Sequence, residues 1–171
     1  MRKLGVSALL FSYNNYLDLE RVISILKSKV DEIVVIDSSS NTHFENGTIK
    51  GNIKLFRTLP LGCVEFLRMY GVKKTTFQWV FYIDLDETPS NALLNDLHKL
   101  ILSPSNAFFM RRDEGNFSTY QLRLFKADTV FYNGFIHEFP EITGKISFYV
   151  LNNICLCQGK IFFQLFLEIR V

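Results

Sequence analysis

Two carboxylates, Asp84 and Asp86, close the apolar run Trp79-Val80-Phe81-Tyr82-Ile83, and in an extended strand end their spacing points both side chains the same way. Oxygen ligands so paired suit a hard divalent cation, and such a cation can neutralise a diphosphate. A solvated acidic turn ahead of a helix started at Thr88-Pro89-Ser90 would read the same way. What sets this pair apart is the buried run that feeds it and a third carboxylate, Asp37, which ends a second run, Ile33-Val34-Val35-Ile36, and precedes Ser38-Ser39-Ser40. The first run, Val6 to Phe11, leads into Ser12-Tyr13-Asn14. Farther along, His137-Glu138 lies among Phe131, Tyr132, Phe135, Ile136 and Phe139, either as a satisfied structural pair or as a base beside an imidazole.

These residues need a scaffold that gathers three run ends on one side. Runs that are apolar on both faces predict buried parallel strands. Leu19, Val22, Ile23, Leu26 and Val30 sit at helical spacing between the first two, with Asn15 as a cap and Asp18 three residues on. Ile53 to Arg57 is a further strand candidate, Val64 to Lys74 a second helix, and Leu93, Leu94, Leu97, Leu100 and Ile101 the stripe of a third. Ligands of such open sheets bind beyond the carboxyl ends of the strands, where the polar clusters fall. Neither a Gly-x-Gly-x-x-Gly turn nor a phosphate-binding loop ending in Gly-Lys-Ser/Thr is present, which excludes those two nucleotide sites.

After Pro104 the pattern shifts to short aromatic and β-branched segments: Ala107 to Arg111, Tyr120 to Lys126, Val130 to Tyr132 and Lys145 to Leu151. This half is expected to be mixed or antiparallel. From Ile161 to Val171 six apolar residues share one parity, the pattern of a strand with one buried face that packs into the sheet or a dimer contact in preference to a membrane. No repeat or linker divides the chain, so residues 1–171 read as one domain with a binding half, 1–103, and a shorter half, 104–171.

The 48% hydrophobic content and 17 Phe exclude general disorder, and a net charge of +2 supplies no global field for nucleic acid or membrane. Three cysteines, Cys63, Cys155 and Cys157, form no metal-ligand spacing and fit a reducing compartment. The apolar run near the N-terminus is too short to span a bilayer and lacks a small-residue cleavage pattern. A cytoplasmic protein is expected, with peripheral membrane contact as the alternative reading of the tail.

Taken together, Ser12-Tyr13-Asn14, Asp37-Ser38-Ser39-Ser40 and Asp84-Leu85-Asp86 resemble the motifs of family-2 glycosyltransferases of the GT-A fold, over roughly Val6 to Glu138. Gln121-Leu122-Arg123-Leu124-Phe125 and Gly134-Phe135-Ile136-His137-Glu138 are most similar to the subgroup containing lipopolysaccharide-core glycosyltransferases. The resemblance implies an α/β fold, a Rossmann-like sheet mostly parallel with antiparallel strands in the C-terminal half. It implies an inverting, metal-dependent transfer of a sugar, hexosyl by class, from a nucleotide-diphosphate sugar to a glycan, lipid or protein acceptor.

By the same resemblance Asp37 contacts the base or ribose of the donor, Ser12 and Asn14 line that pocket, and Arg68 faces the nucleotide. Asp86 holds a divalent cation, Mn or Mg; Asp84 contacts the ribose or supports the cation, with Glu87 as a supporting neighbour. Glu138 is the base, and His137 completes the cation's ligands or orients the leaving group. Asp113 and Glu114, in a stretch that reads as a charged loop, compete as base, while Arg111, Arg112 and Arg123 are candidates to meet phosphate. Phe11 stands where many members have Pro, and the short stretch after Glu138 leaves little chain for an acceptor domain, which implies an open site or one completed by a second copy. A non-catalytic GT-A-like nucleotide-binding or assembly protein is the competing reading, and a nucleotidyltransferase the third.

Overall fold

Runs without a polar face end up between two helical layers. A computed structural model describes residues 1–40, 47–48, 51–114, 117–133, 140–150 and 153–157. In chain order the elements are β1 (Lys3–Ser12), α1 (Tyr16–Leu26), β2 (Glu32–Asp37), β3 (Gly47–Thr48), β4 (Ile53–Arg57), α2 (Glu65–Lys74) and β5 (Phe77–Tyr82). They continue as α3 (Asn91–Leu100), β6 (Ala107–Glu114), β7 (Phe117–Lys126), β8 (Val130–Phe131), β9 (Glu141–Ile142), β10 (Ile146–Val150) and β11 (Asn153–Cys157). Nine strands form one sheet in the order β11-β10-β6-β7-β5-β1-β2-β4-β3, and β8 pairs with β9 apart from it.

The side-chain period of two splits each central strand between two cores. Val6, Ala8 and Leu10 of β1 pack with Leu19, Val22 and Leu26 of α1 and with Leu94, Leu97 and Leu100 of α3 on one face. Leu9, Val34, Ile36 and Val80 pack with Leu67 and Val72 of α2 on the other. Gly71 lets α2 approach closely: a Cβ there would lie 2.9 Å from Leu9 Cδ1. Asn15 and Ser90 cap α1 and α3, their side chains accepting from the backbone N–H of Asp18 and Leu93.

Register is what gathers the site. β1 runs parallel to β2 with Ser12 opposite Asp37, and parallel to β5 with Leu9 opposite Tyr82, so all three polar clusters emerge from one edge. Among the described strands the C-terminal half joins the sheet through β7, antiparallel to β5 with Phe81 opposite Leu124, and it also packs on α3, where the Tyr149 hydroxyl donates to Asp96 Oδ2 at 2.9 Å. β6 and β7 pair antiparallel and β10 lies parallel to β6.

The structure departs from the sequence reading in two places. Arg111 to Glu114 is strand and not charged loop, because β6 and β7 stay paired out to Glu114 opposite Phe117. β5 ends at Tyr82, so the extended geometry that would align Asp84 with Asp86 is absent: Leu85 is buried in the α1–α3 core and the chain turns there, with the Glu87 N–H donating to the Asp84 carbonyl at 3.0 Å. The tail strand expected from Ile161 to Val171 lies outside the described residues. No helix among the described residues is long and apolar enough to cross a membrane.

Candidate active site at the carboxyl edge of the sheet

Asp37 and Ser12 are neighbours at the ends of β2 and β1, both buried. Oδ1 of Asp37 accepts from the Ser39 N–H at 3.2 Å and from the Ser39 hydroxyl at 2.5 Å. Ser39 Oγ in turn accepts from the Asn14 N–H at 2.7 Å. Asn14 has φ +53°, a left-handed conformation that asparagine tolerates better than most residues, and it turns the chain from β1 into α1. Oδ2 of Asp37 and Oγ of Ser12 have no hydrogen-bond partner among the described residues. Buried polar atoms are nearly always paired, so two such oxygens on neighbouring strand ends make this edge a candidate ligand site.

The turn after β5 holds the second cluster. Asp84 Oδ1 accepts from the Tyr82 hydroxyl at 2.8 Å and Oδ2 from Arg123 Nη2 at 2.7 Å, while Glu87 Oε2 accepts from the Asp84 N–H at 3.2 Å. Arg123 also donates to Glu87 and to Gln121 Oε1, and lies 5.1 Å from the Tyr82 ring centroid. Burial pushes the Glu87 carboxyl above its ordinary value, against the Arg123 charge and with the Asp84 charge adding to the rise. Burial, joined by the Asp84 charge, pushes the Tyr82 hydroxyl far up, so it remains protonated and donates. Burial opposes the Arg123 charge as well, but Asp84 and Glu87 outweigh it and raise its pKa.

Of the sequence candidates, Ser12, Asn14 and Asp37 lie together as expected. Arg68 reaches the same side from α2, its guanidinium 6.0 Å from the Tyr82 centroid and 5.4 Å from that of Tyr132. Asp84 and Asp86 separate: Asp84 faces the arginine cluster, whereas Asp86 is 73% exposed with Arg112 Nη2 at 3.9 Å. Glu87, read as a neighbour, is central. Arg123, a phosphate candidate by sequence, is 8% exposed and already held by carboxylates. Arg111 is held by Asp113 at 2.7 Å and by Ser118, which takes both away from the edge chemistry. His137 and Glu138 lie outside the described residues.

Arg21 and Tyr82 were not singled out in the sequence. Arg21 Nη2 donates to the Leu85 carbonyl at 2.5 Å, and Nη1 to Thr88 Oγ1 at 2.9 Å and to the Glu87 carbonyl at 3.4 Å. An arginine next to an apolar helix position gives no sequence signal of such a partner.

Among the described residues no group of three or more His, Cys, Asp or Glu side chains could hold a metal ion. Asp84 and Glu87 are held by Arg123, and Asp86, the most exposed of the three, has Arg112 Nη2 at 3.9 Å. Mg²⁺-like ions are commonly held by one or two carboxylates, substrate phosphates and waters, and Asp86 could supply one such carboxylate.

No protein-family profile matches the chain, and no curated protein matches it. Among solved structures it is similar to S. aureus TarS 1-349, a glycosyltransferase, with TM-score 0.53 and 20% identity. That match covers 64% of this chain and 36% of TarS 1-349, so the chain spans about a third of that protein. It is also similar to 4-diphosphocytidyl-2C-methyl-D-erythritol synthase from Anaerococcus prevotii DSM 20548, with TM-score 0.50, 11% identity and coverage of 74% of this chain and 71% of that one. The fold is of the GT-A and nucleotidyltransferase kind. In a GT-A-like sheet the edge carrying Asp37 and the Asp84–Glu87 turn lies where nucleotides are bound in open α/β folds generally.

Proposed function

We propose that the protein is a glycosyltransferase that moves a sugar, hexosyl by class, from a nucleotide-diphosphate sugar to an acceptor hydroxyl on a glycan, lipid or protein, nearest to the lipopolysaccharide-core subgroup of family 2. The observation that carries this is the pair of unpartnered, buried oxygens on Asp37 and Ser12, one strand away from the Asp84–Glu87 turn. A buried carboxylate with an open lone pair discriminates for a donor N–H or O–H, as the base or ribose of a nucleotide presents. Arg68, across the Tyr82 ring, adds positive charge for the nucleotide's phosphates.

A divalent cation, Mn or Mg, held by Asp86 would neutralise charge developing on the leaving diphosphate. Asp84 is held for a donor hydroxyl by Tyr82 and Arg123. Inversion needs one displacement: the acceptor oxygen bonds to the anomeric carbon as the bond to the diphosphate breaks, and a base takes the hydroxyl proton. Glu138 is that base and His137 the group that orients the diphosphate. A nucleotidyltransferase draws support from the likeness to the erythritol synthase, but Ser12-Tyr13-Asn14 stands in place of a Gly-rich, Arg-containing loop. The non-catalytic alternative is separated by turnover.

The test is release of nucleoside diphosphate from a panel of UDP-, GDP- and dTDP-sugars with Mn²⁺. At least one donor should be turned over, with release lost on chelation; Glu138→Gln should lower turnover about a hundredfold while donor affinity holds. Cation-dependent binding without turnover of any donor would move the protein to the binding class, and no binding at all would remove the reading.

A further inference from the structure

The turn that carries the acidic motif is gripped from two sides by arginines from distant parts of the chain. Arg123, on β7, spans Asp84 Oδ2, Glu87 and Gln121 from the side-chain face, and Arg112 of β6 stands beside it, its Nε 3.4 Å from Glu87 Oε1 and its Nη2 3.9 Å from Asp86 Oδ2. Arg21, on α1, spans the carbonyls of Leu85 and Glu87 and the Thr88 hydroxyl from the backbone face. Its own Nε lies 3.2 Å from Asp18 Oδ1, which fixes the guanidinium plane. Two carboxylates that converge on one point are the usual seat of a divalent cation, and at that point the described structure has a guanidinium. Arg123 is therefore doing electrostatically what a metal would do between Asp84 and Glu87, with a charge that cannot dissociate from the protein.

We infer that Arg123 is a positioning residue that acts as an internal counter-cation for Asp84 and Glu87, and that Arg21 braces the backbone of the same turn. The inference rests on reading this edge as the donor site. It gives Asp84 and Glu87 a fixed charge partner from the chain itself.

The test uses the full chain, and its first arm needs no nucleotide. Mn²⁺ alone is titrated and free Mn²⁺ is followed by its electron paramagnetic resonance signal. Arg123→Gln combined with Arg112→Gln, which removes the second guanidinium beside Glu87, opens the seat between Asp84 and Glu87 and should bind Mn²⁺ at least about tenfold tighter than the parent chain, a gain that misfolding cannot produce. Equal Mn²⁺ affinity in the two proteins would overturn the counter-cation role, whether or not the edge binds nucleotides. Arg21→Ala, which removes a partly exposed side chain, guards against a variant that fails to fold. With Mn²⁺ present it should bind UDP or GDP about tenfold more weakly at a nearly unchanged melting temperature, and Arg21→Lys should recover part of the loss. Parent-like nucleotide affinity in Arg21→Ala would overturn the brace. A parent chain that binds no nucleoside diphosphate would instead overturn the donor-site reading, with the Mn²⁺ comparison still deciding the role of Arg123.

Discussion

β2 begins and ends in a buried carboxylate, and the two have opposite surroundings. Glu32 at the start is 3% exposed and saturated: Ser7 Oγ donates at 2.6 Å, Thr76 donates through its hydroxyl at 2.6 Å and its N–H at 2.8 Å, and Lys54 Nζ lies at 2.5 Å. Asp37 at the end is fully buried, bonded through Oδ1 only, and left with Oδ2 open. Five residues apart on one strand, the first carboxylate ties β1, β2 and β4 to the residue that leads into β5, while the second keeps one oxygen without a partner among the described residues.

The largest expected effect breaks the functional end. Asp37→Asn should weaken nucleoside diphosphate binding about a hundredfold, by losing a charged acceptor, while leaving the melting temperature unchanged or higher. Calorimetry and thermal unfolding on the same protein check both halves; lost stability with intact affinity would make Asp37 another Glu32. Glu32→Gln should do the reverse, lowering stability by about 2–3 kcal/mol in urea unfolding with nucleotide affinity unchanged.

Acidity sharpens the same contrast. Burial alone would raise the Glu32 carboxyl, but hydrogen bonds from Lys54, Ser7 and Thr76 outweigh it and hold it below its ordinary 4.5. The unfolded chain therefore takes up the proton first, so the advantage over Glu32→Gln is fully present above about pH 4.5 and shrinks as pH falls through the lowered folded-state value. An advantage that grew on acidification would contradict the geometry. The smallest effect is expected from Tyr82→Phe, which removes one donor to Asp84 and should cost about 1 kcal/mol of stability, read as a modest shift in urea midpoint.

Much of this was legible from the chain. Asp37 could be placed because Ile33 to Ile36 is apolar on both faces and stops there, and Asn15 and Ser90 because capping is local chemistry. The partners of Asp84 were not legible. They depend on which strand lies beside β5, and that neighbour, β7, arrives from 39 residues away with Arg123 aimed by a register no local pattern encodes. The turn at Leu85 was hidden for another reason: a leucine between two aspartates looks like continued strand until a core on the far side claims it. Arg21 carries a backbone-recognition role, and backbone carbonyls leave no trace in a sequence.

The β5–β7 seam has a consequence for assembly. The strands on either side come from contiguous stretches of chain, β1 to β5 on one flank and β6, β7, β10 and β11 on the other. β6 and β7 close on each other locally, Glu114 opposite Phe117, whereas β1 must find β5 across about 70 residues, the slower kind of closure. Until the two blocks meet, β5 is a bare apolar edge open to the wrong partner. The guanidinium that gathers Asp84 and Glu87 arrives only with that docking. The shape of the acidic turn and completion of the sheet are thus one event, and a nascent chain that stops short of β7 would carry Asp84 and Glu87 without the guanidinium that gathers them.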